Sequence, residues 1–339
     1  MLIVNVFSLA IISWLSSLIN SSNILHEVLG FVIYAIGIGI LIIVFDYFMG
    51  WLERKIIAKV QLRHGPTFVG KYGLLQNLAD FTKLLAKAHF MPKNADKLLF
   101  SLALPLMLAI SIFLIFLLPI VPQTGIGNFA NSLLIIFALL AFMPLLIFIA
   151  GTASGNKFGQ ISAQRSVAML LSYEIPMLLV IASVGMLAKS YNLFSIVSAQ
   201  TKYWYVLLMP IGFFVLFVAM LAEMERSPFD LREADSELIA GWLTDVSAPY
   251  YTLALFLDYT KVFLGSAVIA LLFFGGWQGP FLPPIAWLLI KAVIIAVFVM
   301  LIRATAVRMR LDRLLKLGWF ILLPLALINL FITYMLFVG

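Results

Sequence analysis

The 339-residue chain contains no cysteine, so its own side chains offer no disulfide, no iron–sulfur ligation and no thiolate chemistry. Its three histidines, His26, His64 and His89, are scattered without metal-ligand spacing, and no metal site is expected. Charge is scarce as well. Only 11% of residues are charged, against about a quarter in soluble domains, while 64% are hydrophobic, which excludes an ordinary soluble globule. No P-loop, GxGxxG turn, zinc signature or nucleophile with an evident base is present. Any electron-transfer role therefore requires redox centres on partner subunits.

What remains is apolar sequence in spans of membrane length. Crossing a bilayer takes about twenty apolar residues. Stretches of that kind run at about 31–51, 98–121, 131–150, 161–187, 203–222, 250–274, 284–302 and 316–337. The expected fold is all-α, a polytopic membrane protein of about eight transmembrane helices. Residues 1–19 form a further apolar stretch, broken by Asn5, Ser8, Ser13, Ser16 and Ser17 and lacking the basic start of a signal peptide. They are expected to form an extra span or an interfacial helix. The chain thus divides into an N-terminal apolar segment, 1–29, and a membrane domain, 30–339.

Basic residues set the orientation. Taking 31–51 as the first crossing, eighteen of the 22 Lys and Arg residues fall in the connections at 51–97, 151–165, 223–249 and 303–316. By the positive-inside rule those long loops face the cytoplasm, in the cytoplasmic (inner) membrane of a cell. The net charge of +7 is then a basic cytoplasmic face suited to lipid and partner proteins, and nucleic acid is not needed to explain it. Between Gly73 and Phe90 the pattern turns helical, with Leu74, Leu78, Phe81 and Leu85 opposite Gln76, Asp80, Lys83 and Lys87. An amphipathic helix along the membrane surface is expected there, serving as a lipid anchor or lining a substrate entrance.

The few acids are concentrated. Seven of fifteen lie between Glu223 and Asp245: Glu223, Glu225, Asp230, Glu233, Asp235, Glu237 and Asp245. Ser227-Pro228 with Asp230 reads as an N-cap, a proline at N1 and a capping acid, predicting a helix that carries Asp230, Glu233 and Glu237 on one face. Like charges so placed favour holding a proton. A solvated acidic loop is the plainer reading, and the flanking spans argue against it. Glu174 lies near the centre of 161–187, where an isolated acid costs about 3 kcal/mol by insertion scales. Pro176 beside it frees the Ser172 carbonyl. Glu174 is therefore read as a proton site. Asp258 and Lys261, three apart in 250–274, are expected to pair. Asp46 is expected to be buried or to snorkel outward, and Lys291 is an intramembrane charge with no evident partner.

Three segments carry a resemblance. WLERKIIAKVQLRHGPTFVGKYGLLQNLADFTKLL, GNKFGQISAQRSVAMLLSYE and EMERSPFDLREADSELIAGW, in that order, resemble the NuoH family, the H subunits of the NADH-quinone oxidoreductase that is respiratory complex I, and its relatives in archaeal dehydrogenases and membrane-bound hydrogenases. The resemblance spans about residue 30 to the end. It implies a subunit at the heel of the membrane arm that forms part of a quinone chamber and couples quinone reduction to proton translocation. It implies no cofactor bound by this chain alone, quinone as substrate at the subunit interface, and iron–sulfur clusters on partner subunits. Partners would be the iron–sulfur and quinone-site subunits of the hydrophilic arm, other membrane-arm subunits and lipid. By the same resemblance Glu53, Arg54, Asp80, Lys83, Arg226 and Asp230 are the expected quinone-site residues, and Glu174, Glu223, Glu233, Asp235, Glu237 and Asp258 the expected proton relay. Lys87-Ala88, Arg232 and Asp245-Val246 depart from the family pattern. They keep open a second reading, an energy-coupling membrane anchor of a quinone-free hydrogenase-type or sulfur-reducing complex. A free-standing transporter is a third reading, disfavoured because no repeated broken helices are evident.

Overall fold

The computed structural model describes residues 24–120, 127–232 and 235–337, and every regular element among them is helical. Residues 1–19, expected as a span or an interfacial helix, lie outside that set. The helices are α1 (Ile24–Val60), α2 (Gln76–Leu85), α3 (Lys97–Leu117), α4 (Ser132–Ala153), α5 (Lys157–Ala188), α6 (Leu193–Ala199), α7 (Tyr205–Leu208), α8 (Pro210–Glu223), α9 (Asp235–Leu238), α10 (Ala248–Phe273), α11 (Pro284–Thr305), α12 (Leu311–Lys316) and α13 (Leu323–Phe337). A π-helical stretch, Leu317–Leu322, joins the last two into one rod.

Seven helices among the described residues are long and apolar enough to cross a membrane, and the chain is a multi-pass membrane protein. They coincide with seven of the eight expected stretches. The eighth, 203–222, is broken. Met209 leaves helical geometry (φ −139°, ψ 73°), and Pro210 opens α8, since proline fits the first helical turn and not a helix interior. At 14 residues α8 is about 21 Å long, short of the roughly 30 Å hydrocarbon core. Asn329 steadies its start by accepting from the Gly212 amide at 3.0 Å.

Apolar side chains cover these helices on most sides, so hydropathy alone does not say which is central. Packing decides: α10 is the most enclosed of the spans, contacting α11, α3, α1 and α8, while the rod made by α12, the π-helical stretch and α13 is the least enclosed. The main core joins α1, α5, α8, α10 and α11 through residues such as Met49, Met177, Leu216, Phe263 and Val299.

The surface helix is present but shorter than the pattern implied, ending at Leu85. Its polar side faces α1. Asn77 donates to the Tyr47 carbonyl at 2.9 Å and Asp80 accepts from Arg54, while Leu78, Phe81 and Leu85 remain exposed. That is the arrangement of a helix lying on an apolar medium.

The helix expected from Ser227 does not form. Residues 226–232 are irregular, and beyond them, among the described residues before α10, only the four of α9 and the 3-10 turn Gly241–Leu243 are helical. Tertiary contacts outweigh the local capping signal. Phe229 and Leu231 are buried, the Met309 amide donates to the Pro228 carbonyl at 3.1 Å, and Asp230 is held by Arg308 at 2.9 Å. Asp230 and Glu237 consequently share no helical face.

Candidate functional site

Three consecutive residues of α10 organise the ionisable groups. Successive residues of an α-helix turn by about 100°, so Tyr259, Thr260 and Lys261 fan out toward different neighbours. The Tyr259 ring lies beside Glu53 and beneath the Arg226 guanidinium, Thr260 donates to Asp46 at 2.7 Å, and Lys261 pairs with Glu225. The expected Asp258–Lys261 ion pair is therefore replaced by a longer-range one. Lys261 points toward the loop, where the largely buried Glu225 gains from a cation in its low-dielectric surroundings.

Asp46 and Glu53 are seven residues apart on α1 and so share a face, both buried. Gly50, one turn from each, lets α10 and α2 come close: a Cβ there would sit 3.3 Å from the Tyr259 ring and 2.7 Å from the Asn77 amide nitrogen. Glu53 is the centre of the first cluster. Arg226 lies 3.5 Å away, Arg303 closes on the same oxygen, and the Arg226 guanidinium stacks over Tyr259 at 5.3 Å. Four separate parts of the chain thus meet at one carboxylate. Its outer extension is Arg54, which bonds Asp80 at 2.6 Å, with Lys83 at 4.0 Å. Partial burial alone raises the Asp80 carboxyl. Hydrogen bonds from Arg54 and Gln76 and the charges of Arg54 and Lys83 outweigh it and hold the group below the usual 3.8.

A second cluster lies inward of the acidic loop. Glu225 is clamped by both Arg232 and Lys261, all three largely buried. Glu223, at the end of α8, accepts from the Tyr173 hydroxyl at 2.9 Å and lies within electrostatic reach of Lys261, Arg232 and Glu174. Its other carboxylate oxygen has no hydrogen-bond donor among the described residues, and the same is true of one oxygen of Asp46. Glu174 occupies α5 one residue beyond Tyr173, and α5 runs on through Pro176. The Ser172 carbonyl freed by that proline is covered by Gly318 of the π-helical stretch, where a Cβ would lie 2.5 Å from the oxygen.

The remaining acids are more peripheral. Asp230 is pushed above its usual value by burial, against the pull of Arg308, Arg303 and Arg226, with Asp258 adding to the rise. Glu237 bonds Arg165 at 2.6 Å on an exposed rim. Glu233 lies outside the described residues, as does the side chain of Asp235. Among the described residues no group of three or more metal-ligating side chains exists. Lys291 finds partners that sequence reasoning could not name. Its ammonium donates to the carbonyls of Phe274, Gly276 and Gln278 at 2.8–2.9 Å and faces Trp204 and Trp287. Glu225, Arg303, Tyr173 and Tyr259 were also missed as site residues. Tyr173 and Tyr259 each adjoin an intramembrane acid in sequence, which was the available signal.

A family model described as NADH dehydrogenase matches residues 31–334. The chain belongs to the NADH dehydrogenase (NuoH) family. Among relatives of this NuoH-family chain, the NADH-quinone oxidoreductase H subunit of Dehalococcoides mccartyi (strain CBDB1) is 42% identical over 284 residues, 84% of this chain and 80% of that protein. The NADH-quinone oxidoreductase H subunit numbered 2 in Syntrophobacter fumaroxidans is 37% identical, covering 88% of this chain and 92% of its own length. The F(420)H(2) dehydrogenase H subunit of Methanosarcina acetivorans is also 37% identical, over 91% and 96% respectively. Both ionic clusters lie within the matched span.

Proposed function

We propose that this NuoH-family chain is the membrane subunit at the arm junction of a complex I-like oxidoreductase. There it forms part of a quinone chamber with hydrophilic-arm subunits and couples quinone reduction to proton translocation. The supporting observation is the run of ionisable groups from the loop surface into the bundle: Asp80–Arg54, then Glu53 with Arg226 and Arg303, then Glu225 with Lys261 and Arg232, then Glu223–Tyr173 beside Glu174. Charges this costly to bury are rarely kept in an apolar bundle without a role in charge movement.

In this reading the outer groups, Glu53, Arg54, Asp80, Lys83, Arg226 and Asp230, border the chamber, and a quinone carbonyl reduced there would take its protons from their side. Glu223 is suited to carrying a proton inward, because one oxygen is tied to Tyr173 and the other is open to accept. Lys261 and Arg232 balance the loop carboxylates, so a change of charge at the chamber alters how strongly Glu223 holds its proton. Glu174 would receive it. Glu233, Asp235, Glu237 and Asp258 would feed the same path from the cytoplasmic loop, which faces the side where the redox partners dock. The relatives' names include both an NADH-quinone oxidoreductase and an F(420)H(2) dehydrogenase, so electron input belongs to other subunits and differs among them.

The experiment is Glu223→Gln and Glu174→Gln in native membranes, with electron transfer and proton uptake read in parallel. Proton translocation per electron should fall by at least tenfold in either variant while the complex still assembles. Unchanged coupling in both would overturn the reading. Activity insensitive to quinone-site inhibitors, with coupling intact, would favour the quinone-free anchor instead.

A further inference from the structure

The five basic residues between Arg303 and Lys316 divide into two sets. Arg303 reaches Glu53 and Arg308 reaches Asp230, so both turn toward the protein. Arg310, Arg313 and Lys316 are exposed, and no ion pair among the described residues engages them. The one acid in that stretch, Asp312, is exposed beside them.

Arg313 and Lys316 border a groove of about 400 Å³ whose remaining walls are Met309, Leu317, Phe320 and Ile321. Positions 313, 316, 317, 320 and 321 have the spacing of one helical face. The cations therefore occupy one end and the apolar side chains the other, Phe320 lying about one turn beyond Lys316 along the axis. This rod is the least enclosed of the candidate spans. Beyond the groove its exposed surface continues through Leu327, Ile328 and Phe331, and Trp319, 45% exposed near the charged end, is a residue type enriched at membrane interfaces.

We infer that this groove binds one anionic phospholipid, with the phosphodiester on Arg313 and Lys316 and an acyl chain along Phe320 and Ile321. The polarity matches from end to end: two cations at the loop side without counter-ions among the described residues, then an apolar wall continuous with the surface that faces lipid. An acidic protein segment would satisfy the cations and leave the apolar half in conflict with its own polarity. The π-helical stretch contributes by holding Phe320 and Ile321 outward while Gly318 and Leu322 pack inward.

The test is lipid retention by the full chain purified in a nonionic detergent, read by native mass spectrometry during titration with phosphatidylglycerol or phosphatidylcholine. Wild type should retain one phosphatidylglycerol in preference to phosphatidylcholine. Removing both cations (Arg313→Gln with Lys316→Gln) should weaken that retention by about 30-fold, at roughly one factor of five per charge near a membrane surface. Phe320→Ala should weaken both lipids alike, and inorganic phosphate at matched concentration should not displace the bound lipid. Equal retention of the two lipids by wild type, undiminished phosphatidylglycerol retention in the folded double variant, or displacement by phosphate would each overturn the assignment. All the substituted side chains are on the surface, so helical content checked by circular dichroism should be unchanged.

Discussion

Glu53 and Asp80 are both carboxylates paired with two cations, yet their burial predicts very different consequences for neutralising them. Glu53 has a side chain 3% exposed, against 7% for Arg226 and 34% for Arg303. Replacing it by Gln keeps an acceptor and nearly the same shape but removes the negative charge that lies between two guanidiniums. Removing one partner of a buried pair typically costs about 3–5 kcal/mol. Arg303 can turn partly to water, so the expected loss for Glu53→Gln is about 3 kcal/mol, the low end of that range. Asp80 is bound by Arg54, 41% exposed, and Lys83, 63% exposed, where solvent screens the interaction. Asp80→Asn should cost only about 0.2–1 kcal/mol. Unfolding free energies of the purified full chain in mixed micelles, measured for each variant and for Glu53→Gln combined with Arg226→Gln, decide the matter. The double variant should be more stable than the sum of its single losses predicts, since each substitution removes the other's uncompensated charge. A Glu53→Gln loss no larger than that of Asp80→Asn, or strict additivity in the double, would refute the view of Glu53 as a desolvated hub.

Tyr173→Phe should remove the hydrogen bond to Glu223 at a cost of about 1.5–3 kcal/mol, the range for bonds to charged groups, and lower proton translocation per electron more than electron transfer itself. Gly318→Ala places a methyl 2.5 Å from the Ser172 carbonyl, and overpacking of this kind should lower stability by about 1–3 kcal/mol; an unchanged melting temperature would mean that the rod can shift freely against α5. Lys291→Met leaves three carbonyls of the 274–278 turn without their shared donor, and faster amide exchange confined to that turn is the expected signature. Asp80 supplies a pH dependence. Its folded value lies below the usual 3.8, so its support for the docking of α2 is complete above that value and fades as pH falls through the depressed folded value. Protease cleavage between residues 61 and 97 should rise on acidification below about pH 4 in wild type and depend less on pH in Asp80→Asn.

Composition and hydropathy were sufficient for the class of this protein and for seven of its eight expected spans, because an apolar helix of bilayer length needs no tertiary partner to be recognisable; the stretch 203–222 is as apolar as the others, and only the backbone break at Met209-Pro210 shows that it is too short. Periodicity disclosed the surface helix for a similar reason: its two faces meet different media. The intramembrane acids could also be located, since an ionisable residue inside an apolar stretch stands out one at a time. Partner choice was a different matter. A carboxylate's counter-ion is selected by three-dimensional proximity in a medium of low dielectric, and here the partners of Glu53 lie 173 and 250 residues away in sequence. Lys261, three residues from Asp258, went instead to Glu225. The loop after Arg226 followed the same logic. Its capping residues favoured a helix by about a kilocalorie per mole, and burial of Phe229 and Leu231 together with the Arg308 bridge to Asp230 outweighed it.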